Sequence, residues 1–140
     1  GHGLSKVDSH NYTPIINKDL NFLKNNDFKA FTKKKSLFAM TGHLIFKKID
    51  PDNTVTHSSA IIKIIRNSIK FKNLIISDDL SMKSLKFSLA ENTIKAFNAG
   101  CNIVLHCNGN LKEMISVAEN SPKVDKFILK KTSEFYKNLR

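Results

Sequence analysis

Tryptophan is absent from this chain, and cysteine, proline and glycine are scarce: 2 Cys, 3 Pro and 5 Gly in 140 residues. So few cysteines exclude a disulfide scaffold, and so little glycine and proline excludes collagen-like and low-complexity chains. Arginine is nearly missing as well. Of 23 basic residues only Arg66 and Arg140 are arginine, although the formal net charge is +11 and the pI is near 9.8. Such a charge can bind phosphate by counterion release, but readers of bases and phosphates favour arginine's planar fork. Lysine is instead spread along the chain beside abundant Ile and Asn, the composition of an A/T-rich coding sequence. The densest run, Lys33 to Lys35, ends a helix-like segment, where cations complement the helix dipole. No nucleic-acid partner is therefore expected, and a basic nucleic-acid-binding domain is the weakest of the alternatives. Long hydrophobic runs are missing too. Lysines interrupt even the Ile-rich stretch from Ala60 to Ile69, far short of the roughly 18 apolar residues that cross a bilayer. No membrane partner is expected either, and the chain reads as soluble.

What is present suits one compact globular unit. The chain is 41% hydrophobic and 25% charged, and at this length it can bury roughly two thirds of its unfolded surface. It begins at Gly1 rather than Met, so the lack of a leader says nothing about a longer parent, and the start reads as a cut. Cys101 and Cys107 flank an apolar run that reads as a strand, which would separate their α-carbons by about 20 Å and forbid a disulfide. C-x5-C is no zinc spacing. Two reduced, buried thiols in a cytosolic protein are expected.

From Ser36 onward, short apolar runs alternate with longer amphipathic ones, the signature of βα units around a parallel sheet. Strands are expected at Leu37 to Thr41, Leu74 to Ser77 and Asn102 to Leu105, with starts 37 and 28 residues apart, near the ~30 residues of one βαβ unit. Asn17 or Asp19 can cap a first helix that carries Leu20, Leu23 and Phe31. Ser58 or Ser59 precedes a wide stripe of Ile61, Ile62, Ile64, Ile65 and Ile69. A helix near Ser84 to Ala99 shows Ala90, Ile94 and Phe97 on one face and ends at Gly100. Leu111, Met114, Ile115 and Ala118 form another, ending before Pro122. A terminal helix turns Val124, Phe127, Ile128 and Phe135 inward. All of these stripes are expected in the core. Residues 1 to 17 have no periodicity and read as a polar, histidine-bearing loop.

In a parallel βα array, reactive groups gather at the C-terminal strand ends. Those ends carry Thr41, Gly42 and His43; Ser77, Asp78 and Asp79; and His106, Cys107 and Asn108. Asp78 follows a buried run and should project into the mouth of the sheet, unless it or Asp79 only caps the next turn. Asp8 and His10 are one residue apart, so an extended stretch would point both the same way and let the carboxylate orient the ring and raise its pKa. An exposed histidine beside an Asx-turn aspartate fits the spacing equally. A metal site from His2, Asp8 and His10 matches no standard zinc pattern, and neither metal nor cofactor is expected.

GHG at 1 to 3, DSH at 8 to 10 with Pro14 following, MTGH at 40 to 43, SDDLSM at 77 to 82 and AGCNIVLHCNG at 99 to 109 occur in order. Together they resemble bacterial β-N-acetylhexosaminidases of glycoside hydrolase family 3, over about residues 1 to 118, and the last segment looks most like the alphaproteobacterial branch. The resemblance implies a TIM (β/α)8 barrel, of which residues 1 to 140 would be only the C-terminal portion: about three βα units plus terminal helices. It implies a cytoplasmic, retaining exo-glycosidase that removes terminal β-linked N-acetylglucosamine from muropeptides during peptidoglycan recycling. By the same likeness Asp78 is the catalytic nucleophile, His10 the general acid/base and Asp8 the group that orients it. His43 would line the sugar site, Asp79 and Ser81 would support the nucleophile loop, and Met82 would pack. Gly42 stands where alanine is commoner, Leu4 and Ser5 where Asp-Thr is frequent, and Thr13 where leucine is; none touches Asp8, His10 or Asp78.

The family's sugar-holding Lys-His pair, arginine and aspartate would all lie upstream of Gly1. The resemblance thus implies an incomplete barrel, inactive alone and served by a separate N-terminal half-barrel chain. The alternative is a remnant of a split gene with no function.

Overall fold

The computed structural model describes residues 2–137, so Gly1 of the GHG motif and Arg140 lie outside the described residues. Ten helices and strands follow in the order β1 (Ile15–Ile16), α1 (Leu20–Asn25), β2 (Phe38–Met40), β3 (Ile45–Phe46), α2 (Ser59–Asn67), β4 (Leu74–Asp79), α3 (Leu89–Ala99), β5 (Ile103–Leu105), α4 (Leu111–Glu119) and α5 (Lys126–Lys137). Two 3-10 turns, Phe28–Phe31 and Val55–His57, lie between them. The three expected strands form one parallel sheet in the order β2-β4-β5, with Phe38 opposite Leu74, Met40 opposite Ile76, and Ile76 opposite Ile103. The molecule is thus an α/β fold with parallel sheets.

The two faces of this sheet differ. Ile75, 1% exposed, packs with Ile62, Phe71, Leu80, Leu85, Ala96, Ala99 and Cys101, and Ala39 and Val104 join from the flanking strands. Met40 on the opposite face is 60% exposed, and its neighbours Phe38, Ile76, Ile103 and Leu105 are only half-buried. Alternation along a strand gives this two-sided pattern when helices pack closely on one side and only Phe135 reaches the other, against Phe38. A second core of Ile16, Leu23, Phe28, Leu44, Val55 and Ile61 lies under α1 and α2.

Caps fix the helix starts. Asp19 accepts the Phe22 N–H, Ser58 accepts the Ile61 N–H, and Ser88 forms a reciprocal capping box with Glu91. Gly100 ends α3 with φ of 114°, and a Cβ there would stand 2.9 Å from Ile62 Cγ2, so only glycine fits.

Four sequence expectations need correction. The loop before α1 contains β1, which pairs in parallel with β3; two-residue strands are too short to show a period. The third helix begins at Leu89 rather than near Ser84, and it buries Asn92, Thr93, Ala96 and Ala99. Small and internally hydrogen-bonded side chains allow that close approach, with Thr93 Oγ1 donating to Leu89 O and Asn92 Nδ2 to Phe87 O. Ile94 and Phe97 instead line an open groove beside Glu119 and Pro122. Phe31 is exposed, because the chain turns at Asn26 and enters a 3-10 turn before reaching it. α4 and α5 bury no residue fully, and Leu111, Met114, Ile115, Val124 and Phe127 remain exposed. α4 packs on α3, while α5 touches the sheet through Phe135, edge-on to Phe38 at 5.5 Å. Among the described residues no helix is long and apolar enough to cross a membrane.

Candidate active site

The loop at 7–12 is a tight turn and not an extended stretch. Asp8 Oδ1 accepts the His10 N–H at 3.0 Å and also contacts His10 Nδ1 at 2.7 Å, while the Asp8 carbonyl accepts the N–H groups of Asn11 and Tyr12. The Asx turn and the carboxylate–imidazole dyad, alternatives on spacing alone, are one structure: the turn brings the ring back onto the carboxylate. Since Asp8 can only accept, Nδ1 carries the hydrogen and Nε2 is the atom left to exchange protons. The hydrogen bond to Asp8 and its charge raise the His10 pKa above the usual imidazole value, with smaller contributions from Asp78 and Asp79. Asp8 is held below the usual carboxylate range by the His10 N–H and ring.

This loop is tied down on two sides. His2 Nε2 is hydrogen-bonded to Ser9 Oγ at 2.7 Å, and a Cβ on Gly42 would stand 3.7 Å from that same nitrogen. The histidine of GHG thus lies against the tip of β2, where an alanine in place of Gly42 would meet it in ordinary van der Waals contact. On the other side Thr13 Oγ1 donates to Ser84 O at 2.6 Å, joining the loop to the chain that follows β4.

Asp78 and Asp79 are the last residues of β4. Asp78 Oδ1 accepts the Asp79 N–H at 2.9 Å and caps no helix. Asp79 turns its carboxylate to the Ser81 N–H, the Ser81 hydroxyl and the Cys107 N–H at 3.0, 2.7 and 3.2 Å. Burial alone would raise its pKa, but these hydrogen bonds prevail and hold it below the ordinary carboxylate range. Met82 is buried. Among the described residues no hydrogen bond joins His10 to Asp78, whose charge contributes to the raised pKa of His10.

His43 departs from expectation. It is fully buried with both ring nitrogens engaged, Nδ1 with Thr56 and Nε2 with the Asp79 carbonyl, so it has no nitrogen to offer a sugar. Thr41 stands in MTGH, but Thr56 behind it had no motif to mark it; the polar run TVTHSS at 54–59, almost wholly buried, was the available signal. Among the described residues no group of three His, Cys, Asp or Glu is placed to hold a metal.

The "Glycosyl hydrolase family 3 N terminal domain" matches residues 1–132. The chain belongs to glycosyl hydrolase family 3. A beta-hexosaminidase of Actinobacillus pleuropneumoniae is 34% identical over 114 residues, which cover 77% of this chain and 33% of that protein. Native NagZ from Neisseria gonorrhoeae superposes with a TM-score of 0.78 at 27% identity, over 94% of this chain and 39% of NagZ. The same enzyme in complex with N-trifluoroacetyl-D-glucosamine matches at 0.78 and 25%, over 95% and 39%. The chain spans about a third of the length of the curated relatives it matches.

In this family 3 chain the two thiols are not alike. Cys101 is buried and its pKa is pushed up to about 12 by burial, but Cys107 is exposed, against the expectation of two buried thiols. β5 ends at Leu105, and the two residues beyond it already lie in the loop. A thiol-reactive disulfide reagent should therefore label one cysteine in the native chain and two after denaturation. Two equally fast sites in the native chain would contradict the packing of Cys101.

Proposed function

We propose that this chain carries the catalytic pair of a retaining β-N-acetylhexosaminidase. The observation that supports it most is the Asp8–His10 dyad on an exposed loop that Thr13 ties to the chain following the Asp78 strand. The Asp78 carboxylate attacks the anomeric carbon while His10 Nε2–H protonates the departing glycosidic oxygen; the neutral Nε2 then takes a proton from water, which attacks the anomeric carbon and releases Asp78. Every proton in this scheme is handled by His10, so it needs no cofactor. Asp8 keeps the ring in the Nδ1–H form throughout. An imidazole replaces the usual second carboxylic acid, and a pKa somewhat above about 6.5 suits both halves of the cycle.

The substrate proposed is a terminal β-linked N-acetylglucosamine on muropeptides, in keeping with the N-trifluoroacetyl-D-glucosamine held by NagZ. A cytoplasmic setting is proposed together with that substrate. Residues 1–140 are proposed to form the C-terminal part of a TIM barrel. The half-bare sheet face around Met40 supports this, since in a closed barrel that face is covered by the other strands. The test is hydrolysis of a chromogenic N-acetylglucosaminide by the chain alone and mixed with the N-terminal half of a family 3 relative. Turnover is expected in the mixture and only traces without it, since on this reading the N-terminal half supplies groups that position the sugar. A mixture that assembles yet cleaves nothing would overturn the proposal; a chain with no helical circular dichroism, and no gain on mixing, would favour the remnant.

A further inference from the structure

We propose that His43 is a positioning residue for the nucleophile strand, fixing the Asp79–Leu80 peptide just beyond Asp78 through a relay of hydrogen bonds that can run in only one direction. Its functional half rests on the glycosidase reading above; the relay is a property of the fold.

The ring is 0% exposed, as is Thr56, and Thr41 is 4% exposed, so water does not enter the count of partners. His43 Nε2 lies 2.9 Å from the Asp79 carbonyl oxygen, which has only lone pairs, so Nε2 must carry a hydrogen. Burial lowers the His43 pKa and outweighs the Asp79 backbone and the Asp78 and Asp79 carboxylates, which favour the cation, while His2 opposes it. The ring is thus neutral, its Nδ1 is bare, and the Thr56 hydroxyl at 2.8 Å must donate to it. Thr56 has one hydroxyl hydrogen, so its oxygen receives from Thr41 Oγ1 at 2.8 Å. The sequence Thr41, Thr56, His43, Asp79 joins the tip of β2, the second 3-10 turn and the tip of β4.

At its far end the relay completes the immobilisation of one residue. Asp79 is gripped at its carboxylate by Ser81 and the Cys107 N–H and at its carbonyl by His43, and its own N–H donates to Asp78 Oδ1. His43 and the Leu105 carbonyl thus hold the two ends of the Asp79–Leu80 peptide, and the N–H of the peptide before it holds the Asp78 carboxylate. A nucleophile misplaced by about 1 Å can lose 10²-fold in rate without any change in binding.

Two measurements test this. In the intact chain, imidazole nitrogen NMR should show His43 with a pyrrole-like Nε2 and a pyridine-like Nδ1, unchanged as pH falls through the ordinary histidine range near about 6.5. Thr56→Val should shift the Nδ1 resonance. In the enzyme assembled with an N-terminal half, His43→Leu should lower kcat by roughly 10²-fold with KM unchanged, and His43→Gln, which keeps a donor for the Asp79 carbonyl, should recover at least about a tenth of it. An Nδ1-protonated ring or a ring that titrates near about 6.5 would overturn the relay, and a rise in KM with kcat intact would overturn the positioning role. If the spectra are as expected while the assembled protein cleaves no glycoside, the relay stands and the glycosidase reading falls.

Discussion

Replacing Asp78 by asparagine is expected to abolish N-acetylglucosaminide cleavage by the assembled enzyme, lowering kcat by on the order of 10⁴-fold or more, the scale seen when the nucleophile of a concerted set is removed. The amide keeps the volume of the carboxylate, and its oxygen can still accept the Asp79 N–H, so fold and substrate binding should be little changed. What is lost is the anion that bonds to the anomeric carbon. The neighbouring Asp79 cannot take over, because its carboxylate accepts three hydrogen bonds and is turned toward Ser81 and Cys107. Asp79→Asn therefore serves as the comparison: it should loosen the loop and lower kcat more modestly. The check is a steady-state assay beside circular dichroism on all three proteins. If Asp78→Asn retains more than about a hundredth of the activity while Asp79→Asn loses it, the nucleophile is Asp79 and the order of the pair is reversed.

The asymmetry between these adjacent carboxylates shows what the sequence could and could not reveal. The run LIIS placed a buried strand, and the polar residues after it placed a site at its end. The partners of each carboxylate could not be read, because Ser81 is two residues away but Cys107 is twenty-eight, across the β4–β5 pairing. The three strands of the main sheet were legible because short continuous apolar runs, LFAMT, LIIS and NIVL, recur near the spacing of βαβ units. β1 and β3 were not, since their pairing depends on a tertiary match between Ile15–Ile16 and Ile45–Phe46. The α4 and α5 stripes were legible as helices but misread as core. An apolar face announces that it can be covered, not that anything in the same chain covers it. His43 shows the same limit at the site: MTGH marks the strand tip, while only the fold reveals that the ring points inward to Thr56 and the Asp79 carbonyl.

Removing the Asp8 carboxylate should move the pH profile before it removes the activity. Asp8 is the first cause of the raised His10 pKa, by hydrogen bond and then by charge, and Asp78 adds to it from further away. A raised pKa keeps the imidazolium populated to higher pH, so the alkaline limb of kcat/KM, where the general acid loses its proton, should lie above about 6.5 in the parent enzyme. In Asp8→Asn that limb should shift down toward about 6.5, with a loss that is small in mild acid and grows as pH rises. The contribution from Asp78 has a further consequence. When Asp78 is tied up as the glycosyl ester its charge disappears, so the His10 pKa falls between the two half-reactions. The residue thus tends to hold its proton when it must act as an acid and to lose it when it must act as a base. His10→Ala removes both roles and should cost about 10²–10⁴-fold in kcat, more for a glycoside with a poor leaving group than for an activated aryl glycoside, which departs without a proton. The same loss for both substrates, or a pH limb left in place by Asp8→Asn, would show that another group carries the proton.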